Sequence, residues 1–364
     1  MVRRLVVVAL AAAVWLSSLH SFFRAEPAAL VGPLTERLRV ADRRELRATN
    51  PEWDLMARTF TVLAFLNQTA QRPELLPEVD RMLEETLEMD EARRDAFVLP
   101  YFHRAPFADP KTTSLFVDGE LALMLAARQL VQVDERWKAP LATRIDRLTA
   151  AMERGPQLSA ESYPDEAWTF CNTIALAATR VSDVVDGRDH SALRAAWVER
   201  ARRHLVDART GLLISSFTWR GERRDGPEGS TLFLAAHMLQ LVDPAFAEEQ
   251  YVRARQTLGR ALLGFAWAAE WPRAAVGPDD IDSGPSVPLV DANAGASGLA
   301  LVGAAAFHDE AYLRGLVTSL RFAAFPIEAQ GTLRFAAGNT LADAVLLYSL
   351  TQGPLWARVA EVRS

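Results

Sequence analysis

"CNTIALAATRVSDVV", Cys171 to Val185, is followed after a short polar break by "ALRAAWVERARRHLV", Ala192 to Val206, and the contrast between the two decides the fold. The first run is rich in Ala and apolar on nearly every face, so a helix made from it is buried all round. The second gathers an arginine-rich face opposite its apolar one, so it is wetted on one side. "STLFLAAHMLQLV", Ser230 to Val242, is again of the buried kind. Working outward, apolar residues recur at helical spacing in roughly 12 segments, each bounded by Pro, Gly or Asp. The predicted pairs are Trp53 to Ala70 with Pro77 to Asp90, and Ser114 to Val131 with Lys138 to Arg154. Next come Glu166 to Asp186 with Ala192 to Asp207, and Gly229 to Leu241 with Pro244 to Phe265. Asn293 to Phe307 pairs with Glu310 to Phe325. The final helix, Asn339 to Thr351, has no partner after it, and the early Leu34 to Arg47 has none before it. Pairing those two closes a ring of buried inner helices inside amphipathic outer ones, and closure removes the exposed ends of a repeat array. The fold class predicted is therefore all-α, a toroid of helix pairs. "GLLISSFTWRGE" (Gly211 to Glu222) and "GTLRFAAG" (Gly331 to Gly338) read as short hairpin-like excursions. Nothing resembling a Gly/Ser linker intervenes, so residues 28–364 form one predicted domain. The loops following the inner helices are expected to bring polar groups to an apolar central pocket.

Half of the 364 residues are hydrophobic, enough for a sizeable core. The formal net charge is -6 with no run of Lys or Arg, which argues against a nucleic-acid partner. The single cysteine, Cys171, excludes an intramolecular disulfide and a cysteine-based zinc site. No two histidines stand at metal-ligand spacing, so no metal is expected. Residues 1–24 differ from the rest. Arg3 and Arg4 precede an apolar run from Leu5 to Leu16 that fades towards Phe23, the layout of an export signal or signal anchor. Leu5 to Phe23 is just long enough to cross a bilayer, and no small-x-small cleavage site is evident near Phe23 to Ala29. The arginines would stay cytoplasmic, which places the body outside the cytoplasm, membrane-anchored or secreted after cleavage.

Four clusters carry candidate chemistry. In "ESYPDEAWTFCN", Glu161 to Asn172, Asp165 is placed to cap the next helix, and Cys171 lies on its first turns. The helix dipole there favours a thiolate if the sulfur faces the cavity, although a lone buried cysteine is more often a small hydrophobe. "GPDDIDSGPSVP", Gly277 to Pro288, sets Asp279, Asp280 and Asp282 in a loop stiffened by proline. These carboxylates suit acid–base work or sugar hydroxyls, and also simple turn formation. In "SLFVDGELALM", Ser114 to Met124, Glu120 sits within a buried helix, where it is either paired or cavity-facing with a raised pKa. In "RRDGPEGSTLFLAAH", Arg223 to His237, Asp225, Glu228 and Ser230 open an inner helix that carries His237, a residue more often satisfied in a core than used as a ligand.

From Glu161 to about Leu262 the chain resembles linalool dehydratase-isomerase. That family has a loop Cys, then Pro-Asp, an aromatic-rich turn and Cys-Asn leading into an inner helix. The matching positions here are Ser162, Pro164, Asp165, Trp168, Phe170, Cys171 and Asn172. "HLVDARTGLLISSF" from His204, "LVDPAFAEEQYVRARQTL" from Leu241, "DDIDSG" from Asp279 and "LRF" from Leu333 follow the same order. The resemblance implies an (α/α)6 barrel. It also implies a lyase or isomerase without cofactor, acting on a small apolar alcohol such as a terpenoid, and association of subunits. Catalysis falls to Cys171, Glu120 and Asp165. Substrate contacts fall to Ser162, Tyr163, Trp168, Asn172, Asp280, Asp282 and His237. Trp53, Phe170, Trp219, Trp267 and Trp271 are further candidate walls, since π-faces suit a carbocation-like centre. Two departures stand out: Ser162 replaces the family's first cysteine, and Glu120 falls where the family has a histidine. The family's upstream Asp and Tyr have Asn67 as their nearest counterpart. Two alternatives remain open on the residues: a carbohydrate-active barrel using a pair among Glu120, Asp165, Asp280 and Asp282, or a non-catalytic envelope binding protein.

Overall fold

The computed structural model describes residues 1–273, 283–284 and 286–361. An N-terminal helix, α1 (Val2–Ser18), is followed by α2 (Pro27–Arg39), α3 (Arg44–Thr49), α4 (Pro51–Gln68) and α5 (Leu75–Ala92). Two further pairs are α6 (Leu115–Val131) with α7 (Glu135–Arg154), and α8 (Thr169–Asp186) with α9 (Ser191–His204). Then come α10 (Gly229–Leu239), α11 (Pro244–Thr257), α12 (Ala294–Ala306), α13 (Glu310–Ala324), α14 (Thr340–Thr351) and α15 (Pro354–Glu361).

Around the axis, α4 packs on α6, α6 on α8, α8 on α10, α10 on α12, α12 on α14, and α14 back on α4. That is a closed inner ring of six. α5, α7, α11 and α13 each lie against the inner helix that precedes them, and α2 backs α14. The pairing of the first barrel helix with the last is the closure predicted from the sequence. The fold is an (α/α)6 barrel.

Inner-to-outer pairing is stapled by charge as well as by packing. Asp118 of α6 accepts from Arg144 of α7 at 2.8 Å, and Asp183 of α8 accepts from Arg194 of α9 at 2.6 Å. Asp343 of α14 faces Arg37 of α2 at 3.8 Å. Each aspartate is buried; Asp118 has a second partner in Arg147 and Asp183 one in His190, whereas burial raises the Asp343 carboxyl to about 7.

Several boundaries differ from the sequence expectation, each for a local reason. The early helix breaks at Val40, and Asp42 accepts the Arg44 amide at 2.9 Å as the chain re-enters a helix. α8 starts at Thr169 instead of Glu166, because Ala167–Trp168 (β1) pairs with Ser216–Phe217 (β2), which also pairs with Arg223–Asp225 (β3). Trp168, not Asp165, is the N-cap residue of α8. Asp165 sits at φ 57° in the turn before it. α11 stops at Thr257, where alternation takes over: Gly259–Leu262 (β4) and Phe265–Ala268 (β5) form a hairpin. β5 continues the sheet to Ala292–Asn293 (β7), beside Ser286–Val287 (β6). Pro326–Ala329 (β8) and Thr332–Phe335 (β9) make the second predicted excursion.

α15 was not expected. It packs against α4, α6 and α8, with the Leu355 amide donating to Asn67 Oδ1 at 2.9 Å and Trp356 Nε1 to the Tyr348 hydroxyl at 2.7 Å. It closes the barrel at the C-terminal ends of the inner helices. Asn67 therefore holds this plug, at the end of the barrel remote from the cavity. α1 and the turn after it form a 21-residue apolar stretch, Val2–Phe22, left uncovered by the barrel.

Candidate functional site

With one end plugged, the hollow of the ring opens at the other. A cavity of about 420 Å³ lies among the N-termini of all six inner helices. Glu52, Trp53 and Met56 come from α4, Phe116 from α6, Phe170 and Cys171 from α8, Ser230 and Thr231 from α10. Gly295, Gly298 and Leu299 of α12 and Leu341, Ala342 and Val345 of α14 complete the ring. The loops that shape it precede the inner helices; the sequence reading had expected the loops that follow them. The volume is in the range of small-ligand sites, and the walls are mostly apolar and aromatic.

The segment Ser162 to Cys171 forms one wall. Its path is fixed by Glu161, fully buried, whose carboxylate accepts the amides of Ala108, Asp109 and Asp165 at 2.8, 2.9 and 2.6 Å. Asn172 clamps the same segment from inside, bonded to Ala160 N, Ala160 O and Trp168 O at 3.0, 3.2 and 2.9 Å. Asn172 is thus a scaffold residue and does not line the cavity. Tyr163 does, but through its ring. Its hydroxyl donates to Glu52 at 2.5 Å and accepts from the Leu99 amide at 2.8 Å, while the ring stacks on Tyr101 with centroids 4.5 Å apart.

Cys171, Ser162 and Glu120 meet where α6 crosses α8. A side chain grown from Gly119 would start 3.6 Å from the Cys171 carbonyl oxygen, so the two backbones are nearly in contact. Cys171 is buried, and burial pushes its thiol above the ordinary range, with the nearby Glu120 charge adding to the effect and the Ser162 hydroxyl opposing it. Desolvation thus outweighs the helix dipole that the sequence reading invoked for a thiolate; the group is a neutral thiol at physiological pH. Glu120 is 2% exposed, and its Oε2 has no hydrogen-bond partner among the described residues. Burial raises its carboxyl to about 8, against a small opposing effect from Thr59. Glu120 is therefore a protonated acid at pH 7. The Ser162 hydroxyl also lacks a well-formed hydrogen bond among the described residues.

A pair of acids, Glu228 and Glu270, lies at the N-terminus of α10. The Ser230 hydroxyl donates to Glu270 Oε1 at 2.5 Å and its amide to Oε2 at 3.2 Å. Burial raises Glu270, and burial together with the Glu270 and Asp225 charges raises Glu228 well above the usual carboxylate range. Glu228 belongs to a cluster legible in the sequence, whereas the only signal for Glu270 is an acid embedded in "FAWAAEWP", Phe265 to Pro272.

The other predicted residues lie elsewhere. Asp165 does not line the cavity; it accepts the Trp219 amide at 3.1 Å and pairs with Arg224 at 3.0 Å near the surface. His237 is buried near the plugged end, its ring nitrogens engaged by the Tyr348 hydroxyl at 2.6 Å and Gln240 at 3.1 Å, and burial lowers it to about 4. Of the tryptophans proposed as walls, Trp53 and Trp168 line the cavity, and Trp219, Trp267 and Trp271 do not. Asp279, Asp280 and Asp282 lie outside the described residues. Among the described residues, no three His, Cys, Asp or Glu side chains are grouped to ligate a metal.

Two comparisons bear on the chain as a whole. The family model described as linalool dehydratase/isomerase matches residues 117–341, more than half of the chain. Among solved structures, a GH76 α-mannanase from Bacteroides thetaiotaomicron superposes with a TM-score of 0.50 at 9% identity, covering 85% of this chain and 88% of that one. At that identity the second likeness concerns the barrel alone.

Proposed function

The chain belongs to the linalool dehydratase/isomerase family, and from that premise we propose that it is a cofactor-free lyase or isomerase acting on a small apolar, terpenoid-like alcohol. The observation that carries the reading is a buried, neutral carboxyl, Glu120, with one oxygen lacking a hydrogen bond among the described residues, held behind the neutral thiol of Cys171, which lines an aromatic cavity that Glu120 itself does not line. An acid held protonated at pH 7 is what a hydroxyl leaving group needs.

In the proposed reaction the Glu120 proton passes to the substrate hydroxyl, relayed by Cys171 and Ser162, which reach the cavity surface. The C–O bond breaks and water departs, leaving an allylic cation. The faces of Trp53, Phe116, Trp168 and Phe170 stabilise that charge without offering it a nucleophile. Loss of a proton from the adjacent carbon, back along the same relay to the Glu120 carboxylate, gives a diene. Return of water to the other end of the allyl unit, with its extra proton passing back to the Glu120 carboxylate, gives the isomeric alcohol. The Ser162 and Glu120 replacements thus exchange a Cys and a His of the family for groups that stay neutral in an apolar pocket. Residues 1–24 act as the membrane anchor of a body comprising residues 28–364 and lying outside the cytoplasm. The carbohydrate alternative has less support, because Asp165 is committed to Arg224 and the walls are apolar.

The test is to incubate the full chain with linalool, geraniol and longer prenyl alcohols and to analyse products by gas chromatography. Conversion by the wild type is expected, with Glu120→Gln slower by about 10²-fold or more, the range for loss of a general acid. No conversion of any of these alcohols, or equal rates for Glu120→Gln, would end the reading.

A further inference from the structure

Outside α1, most of the large apolar side chains left in water gather at one end of the barrel, Val133 and Val252 being exceptions. Leu262 and Leu263 form the tip of the β4–β5 hairpin, Leu289 follows β6, and Phe322, Phe325 and Ile327 sit where α13 runs into β8. Leu262 is 60% exposed and Phe325 64%. All lie at the end where outer helices finish and inner helices begin, which is the end that holds the cavity. Phe325 O accepts the Ala336 amide at 3.0 Å, and the next two residues, Ala337 and Gly338, line the cavity. The apolar patch therefore lies at the same end as the mouth, and Phe325 adjoins the cavity wall through this bond.

The segment leaving α1 ends on this same patch. His20 meets Phe265 edge-on with ring centroids 6.5 Å apart, and Phe23 meets Phe322 at 5.0 Å. Gly264, at φ +83° in the hairpin tip, admits the contact: a Cβ there would lie 2.4 Å from the His20 ring. Residues 20–23 are where an apolar helix of this length passes from hydrocarbon to water. If α1 spans a bilayer, the hairpin tip and the two phenylalanines stand at the level of its surface.

We propose that this end of the barrel is seated on the bilayer that holds α1, with Leu262, Leu263, Phe322 and Phe325 inserted at the lipid interface, so that the cavity mouth opens towards lipid. An apolar patch on this scale in a monomer marks a surface that is covered in use, and the anchor leading into it identifies lipid as the cover. Docking rests on this geometry together with the proposed reading of residues 1–24 as a retained membrane anchor. Its consequence, that an apolar alcohol reaches the cavity from the membrane without crossing water, rests on the proposed function.

The experiment uses the full chain, α1 included, in phosphatidylcholine vesicles. In a Cys171→Ala background, single cysteines Leu263→Cys, Phe325→Cys and, at the far end, Val133→Cys carry a polarity-sensitive nitrobenzoxadiazole label. Helical circular dichroism confirms each fold, and Leu262→Cys replaces Leu263→Cys if the latter fails to fold. Labels at 263 and 325 are expected to emit to the blue of the label at 133, with quenching by nitroxide-bearing lipid and protection from aqueous iodide. Equal iodide quenching at all three positions would overturn the proposal. So would protection at 263 and 325 that ignores lipid nitroxide and grows with protein density, since a second copy would then be the cover. Neither result depends on turnover, so the proposal and the proposed function fail separately.

Discussion

Replacing Glu120 by Gln should make the protein more stable relative to wild type as pH rises. Glu120 has an ordinary value of 4.5 when exposed and about 8 in the folded chain. Below 4.5 the group is protonated in both states and contributes no pH dependence. Between 4.5 and about 8 the unfolded chain has released the proton and the folded chain still holds it. Folding then takes up a proton, and stability falls with rising pH until the folded group also ionises. At about 1.4 kcal/mol per pH unit, the full span is worth about 5 kcal/mol, and the interval from pH 5 to pH 7.5 about 3 kcal/mol. Gln has nearly the same shape and no proton to lose, so the variant lacks this slope. Glu228 and Glu270 contribute slopes of the same sign, but they are present in both proteins and cancel in the difference. The measurement is urea unfolding of both chains in the same detergent at pH 5, 6, 7.5 and 9. The variant should gain on wild type by about 3 kcal/mol between pH 5 and 7.5. A difference that stays constant across that range would mean that Glu120 is not desolvated in the way described.

Three further outcomes follow from the same structure. Cys171 should resist an aromatic disulfide reagent in the native protein at pH 8 and react at once in denaturant, since burial keeps it a thiol; rapid native labelling would restore a thiolate. Asp165→Asn should leave product formation near wild type and cost about 1 kcal/mol or less, because its partner Arg224 and Asp165 itself are both well exposed; gas chromatography and urea melts would show it. Gly229→Ala should destabilise by about 1–3 kcal/mol, since the added methyl meets Ala269 O at 2.4 Å and Ala296 Cβ at 2.7 Å between α10 and α12. An unchanged melting curve would contradict that packing.

The barrel was legible because its period is carried by composition: all-apolar runs such as Cys171 to Val185 have only one place to be, inside. Breaks were harder to read. The exit from α11 at Thr257 depends on a pairing between β4 and β5 that local pattern does not reveal, and α15 is too short to show a period. Ser162, Tyr163, Trp168 and Cys171 were legible as a wall because they lie within one stretch of chain. Asp165 and His237 were misplaced by the same logic, since chain proximity says nothing about which way a side chain faces. Glu120 was legible for a physical reason: an acid in "LFVDGELALM" must be paired or protonated, and it is protonated. Its neighbour Asp118 took the other course, pairing with Arg144 and Arg147. The sequence gives no sign of which acid would do which, because both arginines come from the next helix.

Infrared difference spectroscopy on the full chain, comparing wild type with Glu120→Gln from pH 5 to pH 10, reaches the buried acid directly. A protonated-carboxyl band present at pH 7, missing from the variant and titrating with a midpoint near 8, is the predicted result. A carboxylate band from Glu120 already present at pH 7 would contradict the claim that this cavity keeps a proton ready for a leaving hydroxyl.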